Sequence, residues 1–77
     1  MDQFIGEVRW LPFDFAPEGW APCDGALISI AQNTALFSLL GTKFGGDGQR
    51  TFALPKIAAN SDVNAYIAMQ GRFPQRS

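Results

Sequence analysis

Apolar positions in this chain fall into several short runs and one helical repeat. In residues 5–11, Val8 and Trp10 alternate with Glu7 and Arg9, and Ile5 fits this pattern only if Gly6 marks a bulge. The stretch predicts a first strand. Residues 26–30 form a mostly apolar run that predicts a buried strand. Leu36, Leu39 and Leu40 then recur at helical spacing, Phe37 and Leu40 make a second i, i+3 pair, and Gly41 stands where a helix terminator belongs. A helix is predicted within 31–40. Its start is open between Ser29 with Gln32, which fits a capping box, and Asn33 as the cap. Because only Gln32, Asn33, Thr34 and Ser38 are polar, the helix is expected to be covered on most sides, with Leu36 and Leu40 fully buried. Residues 51–54 predict a strand that Pro55 ends, and residues 65–70 predict a last strand with one apolar face, pairing beside the first.

Turn chemistry separates these elements. Pro22, Asp24 and Gly25 are assigned to a structural turn, in which proline fixes φ, the aspartate accepts from nearby N–H groups and Gly25 takes a positive φ. Pro12 keeps residues 12–15 out of a central strand, so Phe13 and Phe15 ride on a loop, where they either pack over the sheet end, the expected arrangement, or meet a neighbouring subunit. Residues 41–48 hold four glycines and must be irregular. They do not read as a phosphate site, for there is no P-loop spacing and no helix starts directly after the glycines. Asp47, set between glycines, reads as a turn former.

These residues resemble a known family. Trp20 with the turn Cys23-Asp24-Gly25, then Gln32-Asn33-Thr34-Ala35-Leu36-Phe37-Ser38-Leu39-Leu40-Gly41, Gly45-Gly46-Asp47-Gly48 and Thr51-Phe52-Ala53-Leu54-Pro55 are similar to the phage tail collar domain of short tail fibres and microcystin-dependent proteins. Phe4-Ile5-Gly6-Glu7-Val8 and Phe15-Ala16-Pro17-Glu18-Gly19-Trp20 fit the family's opening. After Pro55 the family usually continues into an Arg-Gly-Arg segment and a long variable region that in fibres reaches the receptor. Here Lys56-Ile57-Ala58-Ala59-Asn60 follows, and Tyr66-Ile67-Ala68-Met69-Gln70-Gly71-Arg72-Phe73-Pro74 resembles the family's carboxyl-terminal strand. The resemblance implies a minimal collar protein without the variable region, so receptor binding located there is not carried over. The expected fold is α+β: a small, mostly β tail-collar-like domain with one short helix. Residues 1–57 form the domain, 58–64 a short linker, and 65–77 a terminal strand completing the same domain.

Size sharpens the picture. A chain of 77 residues buries only about 60–65% of its unfolded surface, and its one cysteine, Cys23, closes no disulfide within the chain. Yet 47% of residues are hydrophobic, with seven phenylalanines and two tryptophans, more than so small a core hides easily. Association would cover them. Tail-fibre relatives are trimers, so the resemblance implies a homo-oligomer, with three-fold packing first. The candidate interface residues are Trp10, Phe13, Phe15, Phe37, Phe44 and Phe73. The Trp10–Phe15 stretch would be one contact surface, the helix with Phe44 the other, and Arg72 with Phe73 would reinforce them.

Net charge is −1 without clustering, so no nucleic-acid partner is expected; Arg72 and Arg76 only hint at a basic end. No apolar run approaches the ~20 residues of a membrane span, and the start lacks signal-peptide regions. Synthesis in a bacterial cytoplasm and residence in a virion tail or phage-tail-like particle are expected. Histidine is absent, which removes the usual general base and the commonest metal ligand. No catalytic, cofactor or metal residues are assigned, and Cys23 reads as a small buried turn residue. Two function classes follow. One is a structural and assembly module that docks on other tail or baseplate proteins. The other is a small adhesin binding a host surface glycan through Trp10, Trp20 or Tyr66. The two are separated by whether those rings face solvent.

Overall fold

The computed structural model describes residues 3–59 and 62–74. The elements run β1 (Val8–Leu11), β2 (Trp20–Pro22), β3 (Leu27–Ser29), α1 (Thr34–Leu40), β4 (Thr51–Ala53) and β5 (Asn64–Ala68). Two antiparallel sheets result, a three-stranded one in the order β1-β5-β2 and a two-stranded one of β3 and β4. The fold is the small α+β arrangement expected, mostly strand with one short helix, and the last strand pairs with the first over Val8↔Ile67 to Leu11↔Asn64.

The central position of β5 explains its burial. It was expected to have one apolar face, but Ala65, Tyr66, Ile67 and Ala68 are all buried because β1 and β2 flank it and both faces are covered. Ala65 and Ile67 join the main core with Ile5, Cys23, Leu36, Phe52 and Leu54. Tyr66 and Ala68 face the other way and pack with Trp20, Leu11 and Ala16. The largest fully buried side chains are Phe52, Leu36, Leu54 and Ile67, each stabilising the fold by about 1.5–3 kcal/mol through area removed from water.

Strand ends depart from the sequence pattern where glycine and proline act. β1 begins only at Val8 because Gly6 adopts φ 85°. Gly6 N–H donates to the Ala68 carbonyl and Ala68 N–H donates to the Glu7 carbonyl, each at 2.8 Å, so two residues oppose one. This is the bulge that the position of Ile5 required. Upstream, Ile5 N–H donates to the Arg72 carbonyl (2.9 Å) and Arg72 N–H to the Gln3 carbonyl (3.0 Å), tying residues 3–5 to residue 72. Pro22 corrects the turn assignment. It closes β2, opposite Tyr66, and the turn proper is made by Asp24, which accepts from Ala26 N–H at 3.0 Å, and by Gly25 at φ 80°. Residue pairing also places β5 within the same body as residues 3–57; residues 60 and 61 of the expected linker, like Arg76, lie outside the described residues.

The helix is shorter and less covered than expected. It starts at Thr34 after Asn33, whose side chain makes no cap bond and instead donates to the Ser29 carbonyl at 2.9 Å. The Ser29 hydroxyl accepts weakly from Gln32 N–H at 3.4 Å, leaving the capping box incomplete. Gly41 ends the helix as expected, its N–H bonded to the Phe37 carbonyl. Only Leu36 is fully buried. Leu40 is half-buried and Leu39 exposed, because this short helix lies on the rim of the main core and turns a single stripe inward.

Candidate functional site

The aromatic residues nominated from sequence divide by place. Trp10, Phe13, Phe15, Phe44 and Phe73 are exposed, between 42% and 63%. Phe37 differs: it is half-buried, with its ring 5.3 Å from that of Phe52 and tilted by 58°, so it belongs mainly to the core. The exposed rings sit on β1 and the loop after it, on the glycine loop, and on the terminal segment. The structure does not gather them into one cluster with Phe37.

The 12–15 loop shows how the fold holds such rings outward. The Tyr66 hydroxyl and the Asn64 amide both donate to the Phe13 carbonyl, the amide at 3.0 Å. The backbone is thereby pinned to β5 while the Phe13 and Phe15 rings stack on each other, 5.4 Å apart and 17° from parallel. Their stacking partner is each other, not the core. Phe44 sits in the glycine loop with the Lys43 ammonium 5.9 Å from its ring centroid.

Four further apolar residues are exposed that the nomination left out: Phe4, Val8, Leu27 and Leu39. Val8 shares a face with Trp10 by strand alternation, so that signal was present. Leu27 alternates with Ile28, but which of the two faces the core depends on pairing with β4, which local sequence does not show.

The glycine loop is ordered from within. Asp47 Oδ1 accepts from the N–H groups of Gln49 (2.8 Å), Arg50 (2.8 Å) and Thr51 (3.0 Å). These bonds favour the carboxylate form and hold its pKa down to about 2. Gly46, at φ 95°, lies so close to β4 that a Cβ there would be 2.4 Å from Phe52 Cα. The loop is packed structure, as expected, with its amides spent on its own turn.

A concavity of about 360 Å³ opens between the 12–15 loop and the turn, lined among others by Asp14, Cys23, Asp24, Asn64 and Tyr66. Burial, then the charge of Asp24, pushes the Cys23 thiol up from its ordinary value. A protonated buried thiol is a poor nucleophile. Among the described residues no group of three His, Cys, Asp or Glu side chains is placed to hold a metal ion, and no helix is long and apolar enough to cross a membrane.

The Phage Tail Collar Domain family matches residues 6–61, nearly three quarters of the chain. No curated protein and no solved structure matches it. The chain belongs to the phage tail collar domain family.

Proposed function

We propose that this tail collar domain is a self-associating structural module of a phage tail or a phage-tail-derived particle, docking on other tail or baseplate proteins through its outward aromatic residues. The observation that carries the reading is the Phe13–Phe15 pair: two stacked rings held outside the core on a backbone that is itself pinned. In the single chain the pair still leaves apolar area in solvent, which a subunit contact would bury. Three-fold closure is the first arrangement to test, with the Trp10–Phe15 stretch of one chain against the helix and Phe44 of the next, and Phe73 at the margin. Phe37 contributes less than its neighbours because it is committed to Phe52.

The adhesin reading is weaker. Trp20 and Tyr66, two of its three rings, are buried, and a sugar platform needs its aromatic face in solvent. Sedimentation equilibrium or native mass spectrometry at micromolar concentration tests the assembly reading. A defined multiple of 8.4 kDa is expected; a stable monomer overturns it.

A further inference from the structure

Among the described residues the strands have four outer edges; those of β4 and β2 are closed and that of β3 is capped at one carbonyl. On β4, Ala53 N–H donates to the Gly45 carbonyl and the Thr51 carbonyl accepts from Gly48 N–H, so the glycine loop covers that edge. On β3, the Asn33 amide takes the Ser29 carbonyl, whereas the outward N–H and C=O of Leu27 have no partner among the described residues; this three-residue edge, Leu-Ile-Ser, carries no charge that would select a partner or a register. On β2, Cys23 N–H donates to the Ala65 carbonyl and the Gly19 carbonyl accepts from Met69 N–H, so alternation turns the backbone groups of Trp20 and Pro22 away from β5, where Trp20 N–H donates to the Pro17 carbonyl at 3.0 Å. Pro22 has no N–H to offer there. Proline on an outer edge is a standard device against strand pairing.

Val8–Leu11 of β1 contains no proline and, among the described residues, has no covering loop and no side-chain cap. Because Ala68 N–H donates to the Glu7 carbonyl, alternation directs residues 7, 9 and 11 toward β5 and leaves the N–H and C=O groups of Val8 and Trp10 outward. Those groups have no hydrogen-bond partner among the described residues. Both side chains are exposed, and exposed Phe4 and Phe13 flank the strand in sequence.

Resting on the self-association reading, we propose that β1 is a docking edge for β1 of a second copy, paired antiparallel about a two-fold axis at Val8. Three registers bring outward groups together, centred on Val8, Arg9 or Trp10. Centring on Arg9 sets Arg9 against its own copy, a like-charge pair that is unfavourable. Centring on Trp10 leaves Arg9 opposite Leu11. Centring on Val8 sets Glu7 of each copy opposite Arg9 of the other, twice by symmetry. The two side chains already share a face, where Glu7 pairs with Arg9 and the Arg9 guanidinium lies 5.5 Å from the Trp20 ring centroid. Charge complementarity thus selects one partner and one register. A two-fold edge contact is compatible with three-fold rings, since two rings joined through it make a dihedral hexamer.

The test compares three variants of the full chain by native mass spectrometry and sedimentation, with circular dichroism to confirm folding. Val8→Pro removes an N–H that makes no internal bond and should break the assembly to half its mass. Arg9→Glu places like charges at both cross-strand positions and should raise the dissociation constant on the order of tenfold or more. The charge swap Glu7→Arg with Arg9→Glu restores opposite charges and should recover assembly. Even-numbered wild-type oligomers with this pattern support the edge contact. Oligomers unchanged by both Val8→Pro and Arg9→Glu, or a trimer as the largest species, overturn the edge contact while leaving self-association standing. A wild-type monomer at every concentration overturns both.

Discussion

Two irregular loops in this protein are built on opposite principles. The glycine loop, 41–50, carries one exposed aromatic and is fastened along its length: Asp47 takes three backbone N–H groups, Gly45 and Gly48 bond to β4, and Gly46 presses against the backbone of Phe52. The 12–15 loop is fastened at one carbonyl, that of Phe13, and turns two stacked rings to solvent. One loop is part of the fold's interior economy of hydrogen bonds. The other presents apolar surface on a short tether. The difference separates residues that hold the fold from residues that the proposed assembly would use, and it predicts that substitutions in the two loops will affect different measurements.

The largest effect is expected at Gly46. Any Cβ there meets backbone atoms of Phe52 and Thr51 at under 3 Å, and φ 95° is strained for a side chain. Gly46→Val should abolish folded, soluble protein; a variant with wild-type thermal stability would show that the loop is not pressed on β4. Next comes Leu36→Ala, which leaves a cavity under the helix and should cost about 2–5 kcal/mol by chemical denaturation, a large fraction of the stability of a domain this size.

How much of this was legible follows from which residues act locally. The helix, its glycine stop and the positive φ of Gly25 were readable, since 3.6-residue periodicity and turn chemistry need no distant partner. The bulge at Gly6 was readable as a condition on Ile5. β2 was not, because a three-residue strand ending in Pro22 resembles a turn until β5 is known to lie beside it. Leu40 was expected to be buried as Leu36 is, but the helix meets the core at its rim and only one of the two reaches inside. The aromatic residues on loops could be nominated from composition, and Phe37 was grouped with them because nothing local reveals its ring against Phe52, fifteen residues away.

Smaller effects sharpen the contrast between the loops. Tyr66→Phe removes the hydroxyl that holds the Phe13 carbonyl while keeping the buried ring. It should cost about 1 kcal/mol, with faster amide exchange confined to residues around 12–15. Uniform destabilisation without local loosening would mean that the tether is not where the loop is held. In the glycine loop the corresponding test is pH. The folded pKa of Asp47, about 2, lies below its ordinary value of 3.8, so its stabilising contribution is complete above that ordinary value and is lost as pH falls from about 4 toward 2. Acid unfolding of Asp47→Asn should therefore be less steep across that window than that of the wild type. Identical acid profiles would remove the carboxylate from the account of the loop.

The smallest effect on the isolated fold is expected for the double substitution Phe13→Ser, Phe15→Ser, and it is the most informative. Both rings are exposed and stack on each other, so their removal opens no cavity, and the Phe13 carbonyl still accepts from Tyr66 and Asn64 whatever side chain it carries. Denaturation measured where the protein is fully dissociated should change by no more than about 0.5 kcal/mol. At micromolar concentration the same variant should sediment as a smaller species than the wild type, because two stacked rings of this kind are anchors of the sort that dominate subunit contacts. A variant that loses stability in the dissociated state would place these rings in the fold after all and make the two loops alike. A variant that keeps both its stability and its assembly would move the contact surface elsewhere, to the exposed side chains of the helix and the glycine loop.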